Sequence, residues 1–292
     1  MRLLAIETAT PCVACALWSE DGPAASFMLV ARQRHAEVLM PAVDEMCRQA
    51  EWSVADLTAV AVDRGPGLFT GLRVGLATAR AIADARRIPA VGVTSLDALA
   101  YSVRRRAGLV ASVVDARRGE VYWALYRADG TNARELRPPA VAAPEALAGQ
   151  LAGLDGPVLA VGDGAARYRE LLTRAGATTG TGGEMWPSAL ALAELAAQQL
   201  DDVTTAPGGL PTPLYLRQAD VRIGWDQVGG RVHGEDDGPA DARGADDRRA
   251  AKGRNADREA PRRVAPDRVA PDRAAPDRAA AVSSPPGPKL AP

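Results

Sequence analysis

The chain repeats its own opening. Shifted by 108 residues, Leu3–Gly22 lies on Ala111–Gly130 without a gap. Val13 meets Val121, Ala16 meets Ala124, Leu17 meets Leu125, and Asp21-Gly22 meets Asp129-Gly130. Ala5 and Ile6 meet Val113 and Val114, and Glu7 meets Asp115. Both copies read as a buried strand, a polar turn, a second strand and an Asp-Gly hairpin. A chain with this repeat is confined to two halves of like topology. The first is expected over 1–108, the second over 109–225.

Each half continues in mixed α/β order. In the first, strands are expected at Leu3–Ile6, Val13–Trp18 and Ser26–Val30. Val38, Leu39, Ala42, Val43, Met46, Cys47 and Ala50 then fall on one helical stripe. Ser53-Val-Ala-Asp56 resembles a capping box. A strand at Ala59–Val62 follows, then Gly65-Pro66-Gly67, a turn that neither helix nor strand would carry. Thr70 is the expected N-cap of the next helix. A strand at Ala90–Val93 precedes a helix capped at Thr94 and running to about Arg105. The second half offers strands near Glu135–Val141 and at Val158–Val161. Helices are expected at Pro144–Leu151, after Gly162-Asp163-Gly164 to about Ala175, and from Pro187 to about Leu200. Leu214-Tyr215-Leu216 is a short apolar run. Two α/β halves that each open with a three-stranded meander describe the duplicated actin-like (RNase H-like) architecture. Members of that fold bind ATP between the halves, and Glu7, Thr8 and Asp115 stand where its nucleotide-site residues would be.

The helix after the glycine turn carries Gly71, Gly75, Ala79 and Ala83, four apart and therefore on one face. A stripe so bare admits another backbone at close range. Three occupants compete: a phosphate at the turn, the chain's own sheet, or a partner's helix. The turn is no P-loop, since no Lys follows it; the only two Lys are Lys252 and Lys289.

Composition separates a tail. Positions 231–292 contain no aromatic residue and repeat Ala-Pro-Asp-Arg three times between Val264 and Arg278. So little apolar surface cannot offset ordering entropy, so residues 226–292 are expected to be disordered. With 13 of the 35 basic and 11 of the 36 acidic residues in 231–292, residues 1–230 carry net −3. That is not the footprint of a protein that grips nucleic acid alone. Arg104-Arg105-Arg106, the densest basic run, reads as a solvated helix end. No signal peptide or membrane-length apolar stretch is apparent, and three Cys suggest a reducing cytosol. Cys12 and Cys15 form a C-x-x-C without a second pair and read as packing residues. His35, the only His before the tail, reads as a surface residue. One such His supports no Ser–His or Cys–His peptidase.

Ile6-Glu-Thr-Ala-Thr10, Arg64-Gly-Pro-Gly-Leu-Phe-Thr-Gly-Leu-Arg-Val-Gly75, Gly92-Val-Thr-Ser-Leu-Asp-Ala-Leu99, Asp115-Ala-Arg-Arg-Gly-Glu-Val-Tyr122 and Pro213-Leu-Tyr-Leu-Arg217 together resemble the bacterial TsaB (YeaZ) family. The resemblance runs from Met1 to about Asp220. Leu68 departs from it, standing where the family commonly has Ser. It implies a cytoplasmic, non-catalytic subunit of tRNA threonylcarbamoyladenosine synthesis. It also implies that the chain binds the transferase TsaD, works with the ATPase TsaE, reaches tRNA mainly through these partners and forms a homodimer alone. TsaD holds its metal with two His at positions matching Ser95 and Leu99; a metal needs imidazole or carboxylate donors, so none is expected here. No cofactor is expected beyond a degenerate ATP/ADP site at Glu7, Thr8 and Asp115. The implied partner interface comprises Val38, Leu39, Ala42, Val43, Met46, Gly71, Gly75, Ala79 and Ala83. The alternative is a stand-alone actin-like kinase or transferase using ATP.

Overall fold

The computed structural model describes residues 1–30, 34–201 and 211–217. The Ala-Pro-Asp-Arg segment lies outside the described residues. Strands β1 (Arg2–Glu7), β2 (Cys12–Ser19) and β3 (Gly22–Val30) form the first meander. Helix α1 (His35–Gln49) leads to β4 (Ala59–Asp63), α2 (Phe69–Arg86) and β5 (Ala90–Val93). These strands make one sheet in the order β3-β2-β1-β4-β5. After α3 (Ser95–Ser102) the order restarts with β6 (Gly108–Arg117), β7 (Glu120–Ala128) and β8 (Ala133–Ala142). Then come α4 (Pro144–Ala152), β9 (Val158–Val161), α5 (Asp163–Arg167), α6 (Arg169–Arg174) and β10 (Ala177–Thr179). Their sheet has the order β10-β9-β6-β7-β8, the first sheet's order read from its other edge. The duplication read from the sequence is therefore a duplication of topology, and the fold is the actin-like pair of halves.

Strand periodicity sorts the cores. In β1, Leu4 and Ile6 face α1 and α2, while Leu3 and Ala5 face α7 (Ala189–Asp201). All four are fully buried. Burying a side chain of Leu or Ile size contributes about 1.5–3 kcal/mol. In the second sheet Ala111, Val113 and Trp123 pack with α4, and Val110, Val114 and Tyr126 pack with Leu96 and Leu99 of α3.

Helices α3 and α7 ignore the boundary that the duplication implies. α3 comes from the first half and covers the second sheet, where Ser112 Oγ donates to Leu96 O at 2.7 Å. α7 follows the second half and returns to the first sheet. Arg104 ties the two with bonds of 2.8 and 2.9 Å to Glu194, and lies over the Tyr101 ring. It is therefore a half-sheltered strut in the turn after α3, not a solvated helix end.

Other local expectations shift for identifiable reasons. α2 begins at Phe69 with Leu68 as N-cap, so Thr70 lies inside the first turn and caps nothing. α7 begins at Ala189, where Ser188 Oγ accepts from Ala191 N, so Pro187 is not its first residue. The helix expected to end near Ala175 is two short ones broken at Tyr168. β10 is only three residues long, too short for a periodic signal. The box at Ser53–Asp56 and the Thr94 cap, whose Oγ1 accepts from Asp97 N at 3.0 Å, form as read.

Candidate functional site

Parallel pairing of β1 with β4 sets Ile6 beside Val62, so the next residues, Glu7 and Asp63, emerge together at the strand ends. Both are buried. Glu7 is absorbed by its own turn. Its Oε2 accepts from Ala9 N at 2.8 Å, and its Oε1 accepts from Thr10 N at 3.2 Å and Thr10 Oγ1 at 2.9 Å. Asp63 Oδ1 accepts from Gly65 N at 2.7 Å and Ser95 Oγ at 2.8 Å. Asp63 Oδ2 is buried with no hydrogen-bond partner. Burial, with Asp63 adjacent, holds the Glu7 carboxyl well above the usual carboxylate range. Burial likewise pushes Asp63 up to about 6. Two adjacent buried carboxyls resist double ionisation, so the pair retains a proton.

The glycine stripe of α2 meets this same turn. A Cβ on Gly67 would lie 2.1 Å from Ala9 O, one on Gly71 2.0 Å from Thr8 O, and one on Gly75 2.4 Å from Thr8 Oγ1. Thr8 Oγ1 donates to Gly71 O at 2.8 Å, and Leu68 N to Ala9 O at 2.6 Å. The backbone that comes close is the chain's own. The phosphate reading fails because that backbone fills the space. The partner reading of the stripe is corrected too: Gly71, Gly75, Ala79 and Ala83 are buried within this molecule. Leu39, Ala42, Val43 and Met46 are core residues, and Val38 packs against that core. Amphipathic spacing identifies the buried face of a helix, and here that face meets the sheet. Exposed on the other side are Met40 of α1 and Phe69 at the start of α2.

Glu7 and Thr8 are both fully buried. Asp115 is engaged differently. Its Oδ2 meets Arg117 Nη1 at 3.0 Å and Arg167 Nη1 at 3.1 Å, and its Oδ1 accepts from Arg117 N at 2.9 Å. Asp115 N donates to Asp163 Oδ1 at 2.9 Å, and burial raises the Asp163 carboxyl above its ordinary range. These residues line a cleft of about 920 Å3 whose walls include Pro11, Leu68 and Trp186. The structure thus separates Asp115 from Glu7 and Thr8 in role. It adds Asp63, Asp163, Arg117 and Arg167, which strand register and the Asp-Ala-Arg-Arg-Gly turn could have signalled.

The positions matching the TsaD histidines are filled from within. Ser95 Oγ lies 3.0 Å from Pro66 O as well as 2.8 Å from Asp63, its one proton divided between the two acceptors, and Leu99 is buried in the core. Cys12, Cys15 and Cys47 are free and buried, and burial pushes the first two thiols up to about 12. They are packing residues. His35 is corrected: it is buried, with Nε2 donating to Thr10 O at 2.8 Å, and so braces the Glu7 turn. No helix among the described residues is long and apolar enough to cross a membrane.

The fold and site together define a duplicated actin-like body whose first-strand carboxylates are engaged by its own turns and arginines. Residues 29–225 match the family described as TsaD, tRNA N6-adenosine threonylcarbamoyltransferase. The chain is 32% identical to the tRNA threonylcarbamoyladenosine biosynthesis protein TsaB of Escherichia coli, over 79% of this chain and 100% of that one. It is 30% identical to the Bacillus subtilis protein of the same name, over 77% of this chain and 98% of the other. The solved structure of YeaZ from Pseudomonas aeruginosa superposes with a TM-score of 0.65 at 30% identity, covering 74% of this chain and 99% of that one. The chain belongs to the TsaB (YeaZ) family, within this TsaD-related group.

Proposed function

We propose that this chain serves tRNA threonylcarbamoyladenosine biosynthesis as a non-catalytic subunit that docks a TsaD-like transferase. The observation that carries the reading is internal occupation of the positions where chemistry would be sought. Glu7 and Thr8 are sealed in their turn, Asp115 is held by two arginines, and Ser95 and Leu99 stand where metal ligands would. Docking falls to the outward faces of α1 and α2, the inward faces being spent on the core. There Phe69 is 50% exposed and Tyr215 49%, with ring centroids 5.7 Å apart. The Arg73 guanidinium lies 3.7 Å over Phe69. An exposed aromatic pair with a stacked arginine has the composition of an interface anchor. In the cytoplasm the subunit meets tRNA and a TsaE-like ATPase through the assembled complex, and it pairs with itself through the same faces when alone.

The test is co-elution with the TsaD of the same genome. Phe69→Asp and Met40→Asp are surface changes that should leave thermal unfolding unchanged and abolish co-elution. Retained co-elution by both variants refutes the surface. Turnover of ATP or of a tRNA substrate by the purified chain alone refutes the non-catalytic role. Gly75→Leu is no test of docking, since its side chain collides with Thr8 inside the molecule.

A further inference from the structure

The two sheets end in strands built on opposite rules. β8 closes one edge of the second sheet and carries Arg134, Glu135, Arg137, Pro138 and Pro139. Charges and prolines of that kind keep other strands off a sheet edge. β3 closes the matching edge of the first sheet, and Gly22–Val30 holds no charged residue. Pro23 and a bulge at Ala24 blunt only its beginning, where Trp18 faces Pro23 and Leu17 faces Ala25. Further along, Met28, Leu29 and Val30 are 54%, 43% and 47% exposed. Successive strand residues point to opposite faces, so both faces of this end stand open. Three consecutive exposed apolar residues on an unguarded edge are a template for pairing.

The space beside this edge is walled on one side. A cavity of about 760 Å3 lies against Ser26 and Met28 and is bounded by Trp186, Leu190 and Arg105. Met28 stands opposite Ala14, which packs toward α7, so Met28 is on the cavity side. Phe27 is on the other face and packs with the α1 core. Val30 borders the neighbouring cleft, and Trp186 borders both spaces. Of the two arginines in the cavity wall, Arg106 pairs with Glu184. Arg105 is exposed and has no ion pair among the described residues.

We infer that the β3 edge takes an extended segment of a partner protein as a sixth strand, with apolar side chains at alternate positions seated over Met28 and Trp186 and a carboxylate meeting Arg105. A row of unpaired backbone N–H and C=O groups is satisfied by another extended backbone, and alternate side chains supply the selectivity. The unmatched guanidinium sets the sign of charge that the segment must carry. A second copy of this chain fits less well, because its own β3 brings no carboxylate to Arg105. The outward faces of α1 and α2 are not needed, so the proposal stands or falls independently of transferase docking.

Panning a phage library of random decapeptides on the full chain tests it, followed by fluorescence polarisation with the best-enriched sequence as a synthetic peptide. Enriched sequences should alternate apolar residues and contain Asp or Glu, and peptide binding should slow amide hydrogen exchange within residues 24–30. Met28→Lys charges a position that is already exposed, so thermal unfolding should hold while affinity falls about tenfold or more. Arg105→Glu should weaken binding about tenfold at low salt, and replacing the peptide's acid with Lys should restore it. Failure to enrich any peptide overturns the proposal, as does affinity unchanged in both variants or exchange protection that spares β3. Self-association of the full chain that Met28→Lys abolishes, with no peptide bound, assigns the edge to a second copy and overturns it as well.

Discussion

Glu7 and Asp115 stand at the same point in two copies of one topology, yet their surroundings make them opposites. Each sits near the end of a first strand, with a second carboxylate close by from the parallel neighbour: Asp63 for Glu7, Asp163 for Asp115. The next residues divide them. Thr8-Ala9-Thr10 folds back and gives Glu7 two N–H groups and a hydroxyl. Ala116-Arg117-Arg118-Gly119 turns tightly and gives Asp115 a guanidinium, and the short helix α5 adds another. The first pair is closed and holds a proton; the second is open to the cleft and holds arginines. Duplication preserved strand order while a few turn residues set what each acidic pair can do.

The largest break in the comparison should come from the glycines that close the first site. Gly71→Leu places a side chain where Thr8 O stands 2.0 Å from the ideal Cβ position. Backbone cannot yield as a side chain can, so a loss of about 3 kcal/mol or more is expected in urea unfolding. Gly149→Ala in α4 is the matched control: no atom lies within 4 Å of the added Cβ. It should hold stability or raise it by up to about 1 kcal/mol. Equal losses in the two variants would mean that α2 does not press on the Glu7 turn.

Those glycines also show where sequence reading stops. Four-residue spacing correctly announced a bare helix face, and the Leu39–Met46 stripe a buried one. Neither says whether the surface opposite is the chain's own or a partner's, because period reports burial and not the identity of what buries. Likewise the 108-residue shift revealed two meanders but not the exchange of α3 and α7 between sheets, which no local pattern encodes. Asp63 lay one residue past the strand expected at Ala59–Val62, and its place beside Glu7 came only from parallel register. His35 misled because it has no sequence neighbour to pair with; its partner, Thr10 O, is 25 positions away.

A smaller effect should come from the proton in the closed pair. Asp63 is raised to about 6 in the fold, against about 3.9 in an unfolded chain. A raised acid binds its proton more tightly when folded. Its contribution is complete below about pH 4 and disappears as pH climbs through about 6. The native chain should lose about 3 kcal/mol across that window from this group. Asp63→Asn keeps an oxygen for Gly65 and Ser95 and places a donor at the orphaned Oδ2 position. Its unfolding free energy should fall less steeply over the window than the native chain's, since burial still holds Glu7 above its ordinary range, and should exceed the native value at pH 8. A variant that keeps the native slope, or is weaker at every pH, would show that the Asp63 carboxyl is not a group that takes up a proton on folding.

Asp115→Asn should give the smallest change, with the opposite dependence on conditions. Asn retains an acceptor for Arg117 N but removes the charge that holds two guanidiniums, each about half exposed. Solvent screens such pairs, so a loss of about 1 kcal/mol is expected near neutral pH. It should shrink as salt rises, because the Debye length falls from about 10 Å at 0.1 M to about 3 Å at 1 M. Asp63→Asn, acting on a fully buried group, should ignore salt over the same range. If both respond alike, the two acidic pairs share one environment and the contrast between the halves is only one of sequence. If they respond as expected, an open ion-paired site and a closed protonated one coexist on one duplicated frame.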